Sequence, residues 1–134
     1  MAFGEDTSAE MERIATAVVD SAYKVHRQLG PGLLESAYRA CLAYELSKRG
    51  FVVEQERPVP VLYDGIKIDA GFTLDLLVNG LVIVELKAVA ELHPVHKAQL
   101  LTYLKLRRLR LGLLVNFNVV LIKDGIRRVL NRSP

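Results

Sequence analysis

The sequence predicts an α/β (α+β) fold, a central mixed sheet flanked by helices, in the order α-α-β-β-β-β-α-β-β. Three observations predict it. Apolar residues recur at helical spacing through the first fifty positions and then take up the alternation of strands. Asn79-Gly80 stands between two apolar runs, the strongest short-range hairpin signal in the chain. One further helical segment returns late, followed by a run apolar enough for a buried strand. The 134 residues suit one domain spanning 1–134, with 1–7 expected to be a flexible N-terminus. At 51% hydrophobic and 25% charged residues, a disordered chain is excluded. A mean hydropathy of +0.21 calls for a rich core or for apolar surface covered by another subunit.

Each element has a local cause. Residues 7–29 read as a helix because Met11, Ile14, Ala15, Val18, Ala22, Val25 and Leu29 fall on one face, with Thr7 and Glu10 as a capping box. Gly30-Pro31-Gly32 turns the chain. A second helix, 33–49, carries Leu34, Tyr38, Leu42 and Leu46 in one row and stops at Gly50. Strands are expected at 51–57 and 59–63, where Pro58 and Pro60 argue for a sheet edge. Asp64-Gly65 turns into a short strand at 66–69. Segments 72–78 and 81–87 form the central hairpin. Pro94 opens a helix over 95–108. A buried strand follows at 111–117, and 119–123 with 126–130 is expected as a last hairpin around Asp124-Gly125.

The central hairpin carries polar residues beside apolar ones. Phe72, Leu74, Leu76, Val78, Val82, Val84 and Leu86 are even-numbered and apolar, whereas Thr73, Asp75, Glu85 and Lys87 are odd-numbered and polar. A two-residue turn would put Asp75 and Glu85 on opposite faces. A three-residue loop, Val78-Asn79-Gly80, pairs Leu77 with Leu81 and sets Glu85 diagonally across from Asp75. The second arrangement is expected, since it leaves no charge among the apolar side chains. It gathers Asp75, Glu85 and Lys87 into one patch. Paired carboxylates on neighbouring strands offer hard oxygen ligands suited to Mg²⁺ or Mn²⁺. The competing reading is an ordinary ion pair on a solvated sheet face.

The net charge of +3 hides a split: residues 1–96 balance to −5 and residues 97–134 to +8. Lys97, Lys105, Arg107, Arg108 and Arg110 are therefore candidates for contact with nucleic-acid phosphates. The plainer alternative is a solvated helix end whose cations suit the helix dipole. The single cysteine excludes an intrachain disulfide. The longest charge-free run, 111–122, is too short to span a bilayer, so no membrane association and a cytoplasmic location are expected.

The run Gly32-Leu33-Leu34-Glu35-Ser36-Ala37-Tyr38 resembles the motif of the GxxExxY protein family. The resemblance continues through Asp75-Leu76-Leu77-Val78, Ile83-Val84-Glu85-Leu86-Lys87-Ala88, the segment 94–104 and the segment 112–117. That family is placed in the PD-(D/E)XK nuclease-like superfamily, so the resemblance implies a restriction-endonuclease-like core. It implies Asp75 and Glu85 as metal ligands, Lys87 as the catalytic lysine and Glu35 as a helix-borne acid. Gln99 and Tyr103 are implied as helix residues near the site. Leu74 stands where the superfamily's name expects proline, and Thr73 where relatives often carry arginine.

The expected function is a Mg²⁺- or Mn²⁺-dependent nuclease hydrolysing phosphodiester bonds of DNA. Catalytic residues are Glu35, Asp75, Glu85, Lys87 and Gln99; Asp75, Glu85 and the Leu86 carbonyl hold the metal. The rivals are a silent nuclease-fold protein acting as a homo-oligomeric assembly module, and a nucleic-acid-binding protein without cleavage. Of the other polar residues, Tyr38 reads as core packing with a bonded hydroxyl, Cys41 as core, and Arg39 as a surface partner of Glu35 four residues along the helix.

Overall fold

The computed structural model describes residues 7–133, so the expected flexible segment 1–7 lies outside the described residues apart from Thr7. Helix α1 runs Ala9–Leu29 and α2 Glu35–Lys48. Strand β1 covers Val53–Pro58, β2 Val61–Tyr63, β3 Ile66–Ile68, β4 Thr73–Val78 and β5 Val82–Lys87. Helix α3 spans Pro94–Arg107, β6 Leu111–Asn116 and β7 Ile126–Leu130. Five strands form one sheet in the order β1-β4-β5-β6-β7, while β2 and β3 form a separate ribbon. Only β5 and β6 are parallel, joined through α3. The sheet is therefore mixed, as expected.

Helices α1 and α2 cover one face, where Ile14, Val18, Leu42 and Leu46 pack on Leu76, Val84, Leu86 and Val115. Helix α3 covers the other, where Leu100, Tyr103 and Leu104 meet Leu74, Leu77, Ile83 and Leu114. Each fully buried leucine is worth about 1.5–3 kcal/mol, so these two layers hold the sheet from both sides. Pro58 sits at the end of edge strand β1, where a missing N–H costs least.

Four expectations are corrected. Ser8, not Thr7, caps α1: its hydroxyl accepts from the Met11 N–H, and Thr7 bonds to Glu12 instead. The hairpin loop is Asn79-Gly80-Leu81, because Val78 pairs with Val82. Val78 is wholly buried and pairs with Val53 on its other side, so it cannot be spared for the turn. Asn79 takes a left-handed φ of 51°, and its side chain accepts from the Val52 N–H, fixing the turn one residue later than expected. The even-numbered apolar row is also broken: Leu74 joins Leu77 and Ile83 on the α3 side, while Leu76 faces α1 and α2. The break falls where Glu56 of β1, at a φ of 52°, lies across from Asp75. Finally, residues 119–123 form no strand. The Val119 carbonyl is bonded to His26 Nε2, and Ile122–Gly125 is a 3₁₀ turn that tucks Ile122 into the core.

That turn passes close to β6. A Cβ on Gly125 would come within 2.2 Å of the Asn116 carbonyl oxygen, which is backbone and cannot swing away. Gly125→Ala is expected to lower unfolding stability by about 2 kcal/mol or more, read from urea unfolding. An unchanged midpoint would contradict this packing.

Candidate active site

The site grows from a local failure of the sheet. The β4–β5 ladder runs through Val78↔Val82, Leu77↔Ile83 and Leu76↔Val84. One step further, Asp75 faces Glu85 directly rather than diagonally, a consequence of the shifted turn. Here side chains replace the backbone partners. The Asp75 N–H donates to Glu85 Oε2 at 2.7 Å, and the Leu86 N–H donates to Asp75 Oδ2 at 2.8 Å. Each carboxylate is thus held by the strand carrying the other. The bond onto Asp75, which also pairs with Arg39, is charge-assisted and about twice as strong as a neutral one, which helps to offset the lost ladder.

Two helices close in on this pair. Gly32 takes a φ of 100°, which suits glycine, and the turn is then pinned by Tyr38. Tyr38 is wholly buried, and its hydroxyl donates to the Gly30 carbonyl at 2.6 Å and accepts from the Leu33 N–H at 3.1 Å. Its ring stacks on Phe117 with centroids 4.5 Å apart. The pinned turn starts α2 with Glu35, close enough to Asp75, Lys87 and Arg39 to feel all three charges. From the opposite layer, α3 brings Gln99, whose Oε1 lies 3.5 Å from Lys87 Nζ.

The electrostatics follow from crowding acids in a half-buried place. Burial foremost, then the Asp75 charge, pushes the Glu85 carboxyl up to about 8, against the pull of the Asp75 N–H and Lys87. Burial and Asp75 likewise raise Glu35 above the usual carboxylate range, outweighing Lys87 and Arg39. The Tyr103 phenol is raised by burial and then by the charges of Glu85 and Asp75.

Glu35, Asp75, Glu85, Lys87 and Gln99 are therefore neighbours. Tyr38 is a core residue with a bonded hydroxyl, and it holds the turn before Glu35. Three residues went unread as part of the site. Arg39 is not a surface partner of Glu35: Nη1 lies 3.2 Å from Asp75 Oδ1 and Nη2 3.2 Å from Glu56 Oε1. Its helical spacing from Glu35 places both on one face of α2, and that was the available signal. Glu56 gave none. Asn116, opposite Lys87 in the sheet, is buried; its amide donates to the Val89 carbonyl, and its oxygen accepts from the Val89 and Asn118 N–H groups. It ties down the chain that leaves Lys87.

The cations are not gathered at the site. Lys97 lines a groove of about 540 Å³ between α3 and β7, with Arg128 and Arg132. Lys105 and Arg107 stand in the last turn of α3, Arg108 ends it, and Arg110 precedes β6. Eight residues of helix separate Gln99 from Arg107, about 12 Å along the axis.

A family profile described as the PD-(D/E)XK nuclease superfamily matches residues 12–129. The chain belongs to the PD-(D/E)XK nuclease superfamily. Its mixed sheet between helical layers has the element order of that superfamily's restriction-endonuclease-like core. No curated protein and no solved structure matches the chain. Among the described residues, no group of three or more His, Cys, Asp or Glu side chains is placed to hold a metal ion. Leu86 N–H and Arg39 take the two Asp75 oxygens, and Asp75 N–H takes one of Glu85's. The donor chemistry nevertheless fits a divalent cation. Asp75, Glu85 and the Leu86 carbonyl are hard oxygens, and Asp75 lies close enough to Glu85 for its charge to add to burial in raising the Glu85 carboxyl. No helix among the described residues is long and apolar enough to cross a membrane.

A pH dependence follows. Glu85 holds its proton in the folded chain up to about pH 8, whereas an unfolded glutamate loses it near its ordinary value of 4.5. Between these values the folded state binds more protons, so stability is full below about 4.5, falls as pH rises towards 8, and is flat beyond. The slope from this group is at most about 1.4 kcal/mol per pH unit, and Glu35 adds to it with the same sign. Urea unfolding in chelator across this range should show the decline, and Glu85→Gln should flatten it. A wild-type curve that rises between pH 5 and about 8 would contradict the buried acid.

Proposed function

We propose that the chain is a divalent-metal-dependent nuclease that hydrolyses phosphodiester bonds of DNA, and that within its superfamily it is a GxxExxY protein. The reciprocal Asp75–Glu85 clamp with Lys87 two residues along the same strand carries the reading. Asp75, Glu85 and the Leu86 carbonyl would hold Mg²⁺ or Mn²⁺, with Asp75 exchanging its contact to Arg39. When bound, the ion supplies Lewis-acid polarisation of a phosphoryl oxygen and a more acidic water.

The chain's own groups do the rest. Lys87, steadied by Gln99, would set its ammonium against the negative charge that grows on the phosphoryl oxygens as the water oxygen adds and the ester oxygen leaves. Glu35, at the start of α2 with its carboxyl raised, would position the water and take its proton. Arg39, once released from Asp75, stays paired with Glu56 on the same wall. Lys97, Lys105, Arg107, Arg108 and Arg110 would draw the DNA backbone in, so binding should weaken steeply with salt.

Plasmid incubated with Mn²⁺ tests the reading. Wild type should nick it, and Lys87→Ala and Asp75→Asn should lose at least about a hundredfold in rate. Mn²⁺ should also raise the melting temperature of wild type, by about 2.7 kcal/mol of stability at a hundred times its dissociation constant, and not that of Asp75→Asn. Wild type that binds no Mn²⁺ and leaves plasmid intact would end the proposal.

A second reading, a homo-oligomeric assembly module, is favoured by one feature. Leu62, Tyr63, Ile66 and Ile68 of the β2–β3 ribbon are exposed, and a two-stranded ribbon is marginal alone. Sedimentation of wild type against Tyr63→Ser with Ile66→Ser separates the two: a large species lost in the double variant, without nicking by wild type, supports the module.

A further inference from the structure

We propose that Phe72 is a base-stacking residue at the mouth of the candidate site, and that the substrate is therefore single-stranded or locally unpaired nucleic acid rather than intact duplex. The inference rests on the nuclease reading and narrows its substrate class.

Phe72 stands three residues before Asp75, just ahead of β4, and 46% of its surface is open to solvent. It is not a loose side chain. Its carbonyl accepts from the Val59 N–H at 2.9 Å, and its ring leans on Tyr103 with centroids 6.4 Å apart and planes at 52°. Tyr103 is buried among Leu77, Ile83 and Leu100, four residues along α3 from Gln99, the side chain that reaches Lys87. The line from Lys87 through Gln99 and Tyr103 to Phe72 thus ends in a propped aromatic face at the rim. Leaving a phenylalanine half in water forgoes burial energy that the neighbouring core could have supplied. Leu33 and Leu34, directly before Glu35, are exposed as well, and so is Val95 in the first turn of α3. A duplex presents phosphates and occupied base faces, for which a basic rim is the complement. An unpaired strand presents free base faces, for which an aromatic platform with cations farther along is the complement. The basic cluster at the far end of α3 fits that second pattern, tracking the backbone while the bases lie on the rim.

The test measures binding by fluorescence anisotropy, with Ca²⁺ in place of Mn²⁺. The probes are fluorescein-labelled oligothymidylate and a blunt duplex of equal length. Wild type should bind the single strand more tightly. Phe72→Ala should weaken that binding by about tenfold, the loss typical of one stacked base, and leave duplex binding unchanged. Phe72→Trp should restore it. An unchanged urea midpoint shows that each variant is folded. Equal wild-type affinity for both probes, or a Phe72→Ala variant that binds the single strand as wild type does, overturns the proposal while leaving the nuclease reading standing. No binding to either probe overturns it too, and the Mn²⁺ melting shift then decides whether the metal reading survives alone. A Phe72→Ala variant that changes sedimentation instead of single-strand binding assigns the rim to a second copy of the chain and overturns the proposal.

Discussion

Two backbone amides that donate to side-chain carboxylates instead of to a neighbouring strand organise the rest of the molecule. Past Leu76 and Val84 the β4–β5 ladder gives way to Asp75 N–H on Glu85 and Leu86 N–H on Asp75. A buried donor left unmet costs about 1–3 kcal/mol, so neither acid can leave without a penalty in the sheet itself. The same bonds that hold the sheet together therefore hold two acids against each other. Burial does the rest, and the Glu85 carboxyl moves up to about 8. The strain is electrostatic, and it is built into backbone hydrogen bonding.

Such a pair survives only inside a frame that cannot relax. Leu74, Leu77 and Ile83 are packed by α3, and Leu76, Val84 and Leu86 by α1 and α2, so the strands cannot slide to separate the acids. The break in the pleat at Glu56 and Asp75 lets the acids see both layers: Arg39 approaches from α2, and Gln99 comes towards Lys87 from α3. Arg39 is a neutraliser with a second allegiance. Because it also pairs with exposed Glu56, it has a place to stay if Asp75 takes another cation. A guanidinium bound to Asp75 alone would pay more to leave.

Much of this was legible in the residues, for identifiable reasons. Helix and strand positions follow from apolar period, whereas the expectation of one apolar row and one polar row did not foresee that odd-numbered Leu77 and Ile83 line a second buried core under α3. What was not legible depends on long-range partners. The turn shifts by one residue because β1 claims Val78 and Asn79, contacts invisible in the hairpin's own sequence. Leu74 changes face because Glu56, almost twenty positions earlier, adopts a left-handed backbone. Residues 119–123 have the composition of a strand, yet His26 of α1 takes the Val119 carbonyl. Arg39 reads as a surface partner of Glu35 until the fold brings Asp75 to it. Each miss is a tertiary contact overriding a local preference.

The charge split also changes meaning once the chain is folded. The +8 of residues 97–134 suggests one continuous basic surface, but its members are spent differently. Arg128 is paired with Glu12, and Arg127 donates to the Asp124 and Ile126 carbonyls. Lys97 belongs to the groove beside β7, and Lys105, Arg107 and Arg108 to the far end of α3. Within a Debye length of about 8 Å these charges act on different parts of any polyanion, and the last group lies beyond that length from Gln99. They can supply attraction and direction along a backbone, whereas Lys87 and Arg39 are the cations that, among the described residues, lie close to Asp75 and Glu85. Nearness to the acids, more than the number of cations, sets which positive groups matter there.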